Sequence, residues 1–261
     1  MGAAIWSAGT DDVRAMPIRF FVQFFHNHGM LSVDRRPVWR VISGGSYQYV
    51  KALTRSFGDR IRRQSPVRTI VRTPERVEVT SDEFVGHGRE QRRKESFDHV
   101  ILALHSDQAL TLLKRPTPEE RQILGSMPYQ ENEAVLHTDT HVLPRCRRAW
   151  ASWNYHLLSE GKDRVAVTYH MNRLQNLNAP AEFCLTLNRS DDIDPATVLK
   201  RVTYHHPRFT LAAVEAQARH AEISGINRTS YCGAYWHYGF HEDGVRSALN
   251  VCRPFGKDLA S

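Results

Sequence analysis

The sequence has no apolar run long enough to span a bilayer. Its longest apolar cluster, Ile18 to Phe25, is broken by Arg19 and Gln23. No charged, apolar and small-residue succession marks a secretory leader, and Trp6 stands where N-myristoylation after Met1-Gly2 needs Ser or Thr. A cytoplasmic location is therefore expected. Cysteine is scarce: Cys146, Cys184, Cys232 and Cys252 lie far apart and form no C-x-x-C pair. That spacing argues against a zinc site or a disulfide framework and for buried free thiols. The G-x-G-x-x-G turn of dinucleotide-binding folds is missing. Its one imitation, Gly86-His87-Gly88, lacks the third glycine and opens no helix. Without a G-x-S-x-G elbow or a cysteine with a defined partner, hydrolase chemistry has no support.

What remains is an ordinary globular composition. In 261 residues, 41% hydrophobic content against 24% charge is enough for a sizeable core and excludes wholesale disorder. The net charge of +7 raises nucleic-acid binding as a reading. Yet the basic residues are scattered, and the one dense run, Arg89, Arg92, Arg93 and Lys94, has no aromatic stacking motif beside it. A solvated loop is the better account of that run.

Periodicity divides the chain into helices and strands. Phe20, Phe21, Phe24 and Phe25 share a helical face between Pro17 and His28, and Gly29 is a natural stop. Trp39 to Ile42 reads as a strand entering Gly44-Gly45-Ser46, followed by a helix over Tyr47 to Phe57. Val67 to Arg72 and Arg76 to Thr80 flank a turn and predict a hairpin; Phe84 to Ser96 reads as a charged loop or ragged hairpin. Phe97 to Leu104 has the near-continuous apolar run of a strand buried on both faces. A short helix is predicted over Asp107 to Leu113, and Thr117-Pro118-Glu119-Glu120 is a capping-box helix start. Strands are predicted at Ala134 to Thr138, Ala149 to Tyr155, Val165 to Tyr169 and Phe183 to Leu187. Helices are predicted at Pro195 to Arg201 and Leu211 to Ile223. The fold class is mixed α/β (α+β).

Three groups invite a chemical reading. His137, Asp139 and His141 alternate, so on one strand they would share a face and resemble metal ligands; no fourth ligand is identifiable, and no metal is assigned. Trp150, Trp153 and Tyr155 would wall an apolar cavity or simply pack a sheet. The richest segment is the last. Thr229 to Tyr231 reads as a strand, Gly233 to Phe240 as a glycine- and aromatic-rich turn, and a helix begins near Glu242. Such a turn aims backbone N–H groups and a positive dipole end at an anionic or carbonyl-bearing group. The nearby Asp243 and Glu242 would repel a phosphate unless their carboxylates turn away.

This segment resembles the carboxyl-terminal flavin-contacting region of the flavin-containing amine oxidase superfamily. Val41-Ile42-Ser43-Gly44-Gly45-Ser46 resembles its strand-to-helix glycine pair. Ser65-Pro66-Val67 resembles its Pro-Val strand, and Phe97 to Ala103 the strand returning to its flavin domain. Leu136 to Asp139, Ala149 to Tyr155 and Tyr231 to Trp236 look typical of predicted NAD/FAD-binding amine-oxidase-like proteins. The resemblance covers the chain but only the later part of a family member, which implies truncation at the amino terminus.

It implies an FAD-dependent oxidoreductase passing hydride from a substrate carbon to flavin, acting on an apolar or amine-bearing small molecule. Expected FAD contacts are Gly44, Gly45, Ser46, Val67, Ala103, Gly233, Gly239, Phe240, Asp243, Gly244 and Val245; catalytic side chains are unassigned. Ala234 follows Gly233 where the family usually carries an acid, and Phe240 is equally readable as a core residue. The implied architecture is a partial FAD-binding domain, residues 41–115 and 223–261, interleaved with an antiparallel substrate domain, residues 1–40 and 116–222. An exposed apolar groove beside Val100 and Tyr231, available for self-association, is also implied. An inactive remnant or flavin-independent binding module is one alternative, and a basic nucleic-acid-binding protein the other.

Overall fold

The computed structural model describes residues 2–34, 37–84, 90–156 and 165–259. The Gly86-His87-Gly88 stretch and Arg89 lie outside them. The chain opens with helices α1 (Gly2–Ile5), α2 (Thr10–Ala15), α3 (Ile18–Asn27) and α4 (Tyr47–Thr54), then strands β1 (Val67–Arg72), β2 (Val77–Phe84), β3 (Glu90–Phe97) and β4 (Val100–Leu102). Helices α5 (Ser106–Leu112) and α6 (Pro118–Gly125) follow, then β5 (Tyr129–His137), β6 (Trp153–His156) and β7 (Ala166–His170). The chain continues through α7 (Met171–Gln175), β8 (Cys184–Leu187), β9 (Val198–Pro207), α8 (Leu211–Ala218), β10 (Thr229–Tyr231) and α9 (His241–Cys252). Among the described residues no helix is long and apolar enough to cross a membrane.

Two compact units result, each from two chain segments: residues 1–58 with 129–208, and residues 59–128 with 209–261. The divisions fall at 58/59, 128/129 and 208/209, against the expected 40/41, 115/116 and 222/223. In the first unit an antiparallel sheet runs in the order β6-β7-β8-β5-β9. Val135 packs with Val142 and Ile193 on it, and Val167 with Ala3, Ala4 and Val165. The amphipathic spacing of α3 buries Phe20, Phe24 and Phe25, and Trp6 packs on the Phe24 ring at 4.7 Å between centroids. The chain then reverses at Gly29, whose φ of +63° a β-carbon would strain.

The second unit joins the antiparallel β1-β2-β3 sheet and the parallel β4-β10 pair to α5, α6, α8 and α9. Its core includes Ile70, Val77, Leu102, Ile123, Leu124, Ile223, Tyr231 and Trp236. Glu120 is buried within this unit. Its capping box forms as predicted, with the Thr117 N–H donating to Oε2 at 2.8 Å and the Glu120 N–H to Thr117 Oγ1 at 3.2 Å. The same carboxylate takes both arms of the buried Arg72 guanidinium and the Tyr231 hydroxyl, the latter at 2.6 Å. Burial pushes its carboxyl up, but the bonds from Arg72, Tyr231 and Thr117 outweigh this and hold it below the usual range.

Several sequence expectations are corrected. Trp39 to Ile42 is not a strand: no neighbouring strand pairs with it among the described residues, and its apolar side chains are exposed. The run Phe97 to Leu104 is not one strand: Phe97 ends β3 and Val100–Leu102 forms β4, where Ile101 is 40% exposed because β4 pairs with β10 alone among the described strands. Of the two readings of the charged stretch after Phe84 the hairpin holds and the loop does not, because β3 pairs antiparallel with β2, Lys94 and Arg93 opposite Thr80 and Ser81. Pro195 to Arg201 is a single 3₁₀ turn running into β9, where Val198 and Val202 sit on the half-buried side of an edge strand. Of the cysteines, Cys184 and Cys232 are buried and their thiols pushed up by burial, to about 12 and about 11, but Cys146 is exposed.

Breaking the Glu120 cluster has a graded expected cost. Tyr231→Phe removes one hydrogen bond to a buried carboxylate and should lower stability by about 1–3 kcal/mol. Glu120→Gln strands the Arg72 charge and should cost about 3–5 kcal/mol. Urea unfolding of the two variants checks the order; equal effects would mean that Arg72 is not compensated by Glu120 alone.

Candidate functional site

The second unit carries most of the expected cofactor contacts on one connection, from β10 to α9. After Tyr231 the backbone is extended through Gly233, where a β-carbon would lie 2.5 Å from the Tyr235 ring, so only glycine lets that ring close over the chain. The Gly233 N–H donates to Ser247 Oγ at 3.0 Å, tying the turn to α9. Gln217 Nε2 donates to the carbonyls of Tyr235 and His237 at 2.8 and 2.6 Å, and Gly239, at φ +94°, makes the final reversal. The turn is thus braced from within its own unit.

At the start of α9 the cap residue is Phe240, which offers no side-chain acceptor to the first-turn N–H groups. Asp243 bends back: its Oδ2 accepts the Phe240 N–H at 3.0 Å, and the side chain is buried. Glu242 is exposed. A β-carbon on Gly244 would meet nothing within 4 Å. The helix therefore begins with a positive dipole end, an internally engaged acid and a bare glycine. Trp236 adds a buried indole N–H with no acceptor among the described residues. These features fit an anionic or carbonyl-bearing planar group. Phe240 is half-buried and Val245 intermediate beside them.

Of the other expected contacts Ala103 adjoins this turn, since the preceding Leu102 pairs with Tyr231 and accepts the Cys232 N–H at 3.0 Å; the rest lie elsewhere. Val67 opens β1 at its exposed end, and Ala103 is exposed just past β4. Gly44, Gly45 and Ser46 belong to the first unit, where φ values of +80° and +85° turn the chain into α4. No strand leads into that turn, contrary to the expectation. The apolar face of α4 is bare: Tyr47, Val50, Leu53 and Phe57 are all exposed.

The alternating histidines also resolve differently. Strand β5 ends at His137, so His137, Asp139 and His141 do not share a strand face. His137 Nδ1 accepts the Asp139 N–H at 3.1 Å, while Asp139 Oδ1 takes the His141 N–H at 2.8 Å and pairs with its exposed ring at 3.0 Å. Both nitrogens of His137 are spent, because Nε2 donates to Thr186 Oγ1 at 2.8 Å. Among the described residues no three His, Cys, Asp or Glu side chains cluster as metal ligands.

Sequence reasoning missed what this histidine belongs to. A hydrogen-bonded row crosses four neighbouring strands: His156 on β6, Thr168 on β7, Thr186 on β8 and His137 on β5. Each step is 2.8 or 2.9 Å. Isolated threonines carry no periodic signal, so only strand order reveals the row. Beside its β6 end lies an open cavity of about 610 Å³, lined by Trp153, Tyr155, His156, Arg145 and Arg189 among others. Trp150 lines a neighbouring cavity instead.

The family model for flavin-containing amine oxidoreductases matches residues 4–170. The chain belongs to that family. FAD is the cofactor that membership implies. Solved structures share the mixed helix and sheet fold. Cyclohexylamine oxidase from Brevibacterium oxydans IH-35A matches with a TM-score of 0.59 and 12% identity, over 98% of this chain and 63% of its own. A fatty acid isomerase from P. acnes that produces CLA matches with a TM-score of 0.57 and 13% identity, over 81% and 52%. Putrescine oxidase, solved with putrescine bound, matches with a TM-score of 0.50 and 13% identity, over 82% and 54%. This chain thus spans about half to two-thirds of the length of these solved structures. No curated protein matches the sequence. The β10–α9 segment lies beyond the residues matched by the family model, so its likeness rests on fold alone.

The polar row sets a pH response of the sheet unit. Burial, with the Arg189 charge, holds His156 down at about 4, and burial lowers His137 as well. Both are neutral in the folded state, so their contribution is complete above about 6.5 and is lost as pH falls toward 4. Stability followed from pH 7 to 4 should fall more steeply in the wild type than in His156→Gln. The difference should be on the order of 2 kcal/mol after allowance for the partial exposure of His156. Parallel curves would show that His156 does not resist protonation.

Proposed function

We propose that this chain is part of an FAD-dependent oxidoreductase of the amine oxidase type, contributing the β10–α9 flavin contact and an antiparallel substrate sheet. The observation that carries this reading is the first turn of α9, where Asp243 is folded onto the Phe240 N–H and a β-carbon on Gly244 would meet nothing within 4 Å. In this reading Val67, Ala103, Gly233, Gly239 and Val245 of the second unit approach the cofactor through backbone or small side chains, and Phe240 lies against its plane. Bound FAD supplies the acceptance of a hydride from a substrate carbon.

The residues' part is to hold and polarise. The α9 dipole stabilises negative charge at its amino end, while Ser247 and Gln217 keep the preceding turn rigid. Ordered donors that need no rearrangement are worth more than flexible ones, because their reorganisation is completed on folding. No side chain is assigned as acid or base. The substrate is proposed as a small apolar or amine-bearing molecule, in keeping with family membership.

Self-association is proposed as well, with a different surface from the one expected. Tyr231 is wholly buried and Val100 half-buried, so a groove beside them rests on Ile101 and Phe97. Apolar exposure is denser over residues 38–57, where Val38, Trp39, Val41 and Ile42 adjoin the bare face of α4.

The flavin assignment is tested by titrating the purified chain with FAD and following quenching of flavin fluorescence. Weak binding is expected, since no phosphate-binding glycine turn is present among the described residues. Gly244→Asp should weaken binding at least about tenfold by placing an anion beside the cofactor. Gly58→Asp, at a glycine with equal steric freedom, should leave it unchanged. If the two variants behave alike, α9 does not contact the flavin.

A further inference from the structure

The cavity beside β6 is a second site, and nothing in it is used by the flavin reading. All its lining residues belong to the sheet unit. They include two arginines, Arg145 and Arg189, and no carboxylate among the described residues. Arg189 is held on two of its three nitrogens. Its Nε donates to Asp192 at 2.6 Å, and its Nη1 donates to His156 Nδ1 at 3.0 Å. For Nδ1 to accept, the His156 proton must sit on Nε2, which donates to Thr168 Oγ1. Thr168 is in turn fully buried and bonded to Thr186. The polar row therefore fixes the imidazole, and the imidazole fixes the guanidinium. This leaves Nη2 of Arg189 without a partner among the described residues.

Arg145 is exposed and likewise makes no hydrogen bond or ion pair among the described residues. Trp153 and Tyr155 project from one face of β6, 40% and 43% exposed, and Val142 and Leu143 add buried apolar lining. Asn154, also in the lining, is not available for a ligand. Its side chain is spent on the backbone of Ala151 and Thr168, which stiffens the strand start. A pinned cation whose Nε is held by Asp192, a second unpaired cation and flat apolar walls line one cavity, and none of its described lining residues is itself an acid.

We propose that this cavity binds an organic carboxylate with a flat apolar body, its charge held by Arg189 and Arg145 and its body set against Trp153 and Tyr155. A carboxylate suits it better than a phosphate. The two N–H donors left on Nη2 match a monoanion, and the lining has neither a glycine-rich turn nor the amino end of an α-helix to neutralise a dianion.

Calorimetric titration of the whole chain with phenylacetate, phenylacetamide and inorganic phosphate tests the proposal. Phenylacetate should bind, the isosteric amide should bind at least about tenfold more weakly, and phosphate should not compete. Arg189→Gln and Arg145→Gln should each weaken phenylacetate by about fivefold or more. Because Arg145 is exposed and unpartnered, its variant should keep the wild-type melting temperature, so its loss of affinity cannot be ascribed to unfolding. Trp153→Ala should weaken acid and amide together and preserve their ratio. The proposal is overturned if phenylacetate does not bind, if the amide binds equally well, if phosphate competes at similar concentration, or if Arg145→Gln retains full affinity.

Discussion

A single carboxylate, Glu120, governs how the second unit is assembled. A charge this deeply buried is tolerable only when its lone pairs are taken, and Arg72, Tyr231 and the Thr117 N–H take them. These partners come from β1, β10 and the start of α6, so satisfying one acid fixes three elements. Since β10 leads straight into Gly233 and α9, the same charge sets where that turn begins. Arg72 also donates to the Arg115 carbonyl at 2.9 Å, which holds the connection between α5 and α6.

The first unit uses neutral polar groups for a comparable purpose. Its sheet core contains two threonines and two histidines in one row, each bonded to the next. Such a row is less forgiving than an apolar core, because any slip of register leaves buried polar atoms unpaired. It therefore specifies strand order and alignment. It also carries orientation outward, from a wholly buried threonine through His156 to Arg189 at the cavity. Stability and recognition are thus linked through a histidine kept uncharged by its surroundings.

The two surfaces with chemical character differ in kind. The start of α9 offers backbone donors and bare glycine, suited to close approach by a large planar group. The β6 cavity offers side-chain charge and aromatic walls, suited to a small anion. Residues 38–57 are different again, with apolar side chains in water and no strand to carry them.

The sequence by itself determined the elements whose information is local. The Phe20–Phe25 spacing, the Thr117–Glu120 box and the strand–turn–helix after Thr229 were legible because caps, turns and periodicity act over a few residues. Tertiary structure decided whatever depended on partners far along the chain. Trp39 to Ile42 has strand composition but no strand to pair with, and Val198 to Pro207 became a strand because β5 was there to receive it. Glu120 read as a cap and proved also to be a buried counter-ion, since Arg72 and Tyr231 are 48 and 111 residues away. His137 alternates with Asp139 and His141 along the sequence and proved to be one end of a row that crosses β5, β8, β7 and β6. Hydrogen bonding and burial depend on neighbours in space, and the order of residues along the chain encodes those neighbours only through the fold.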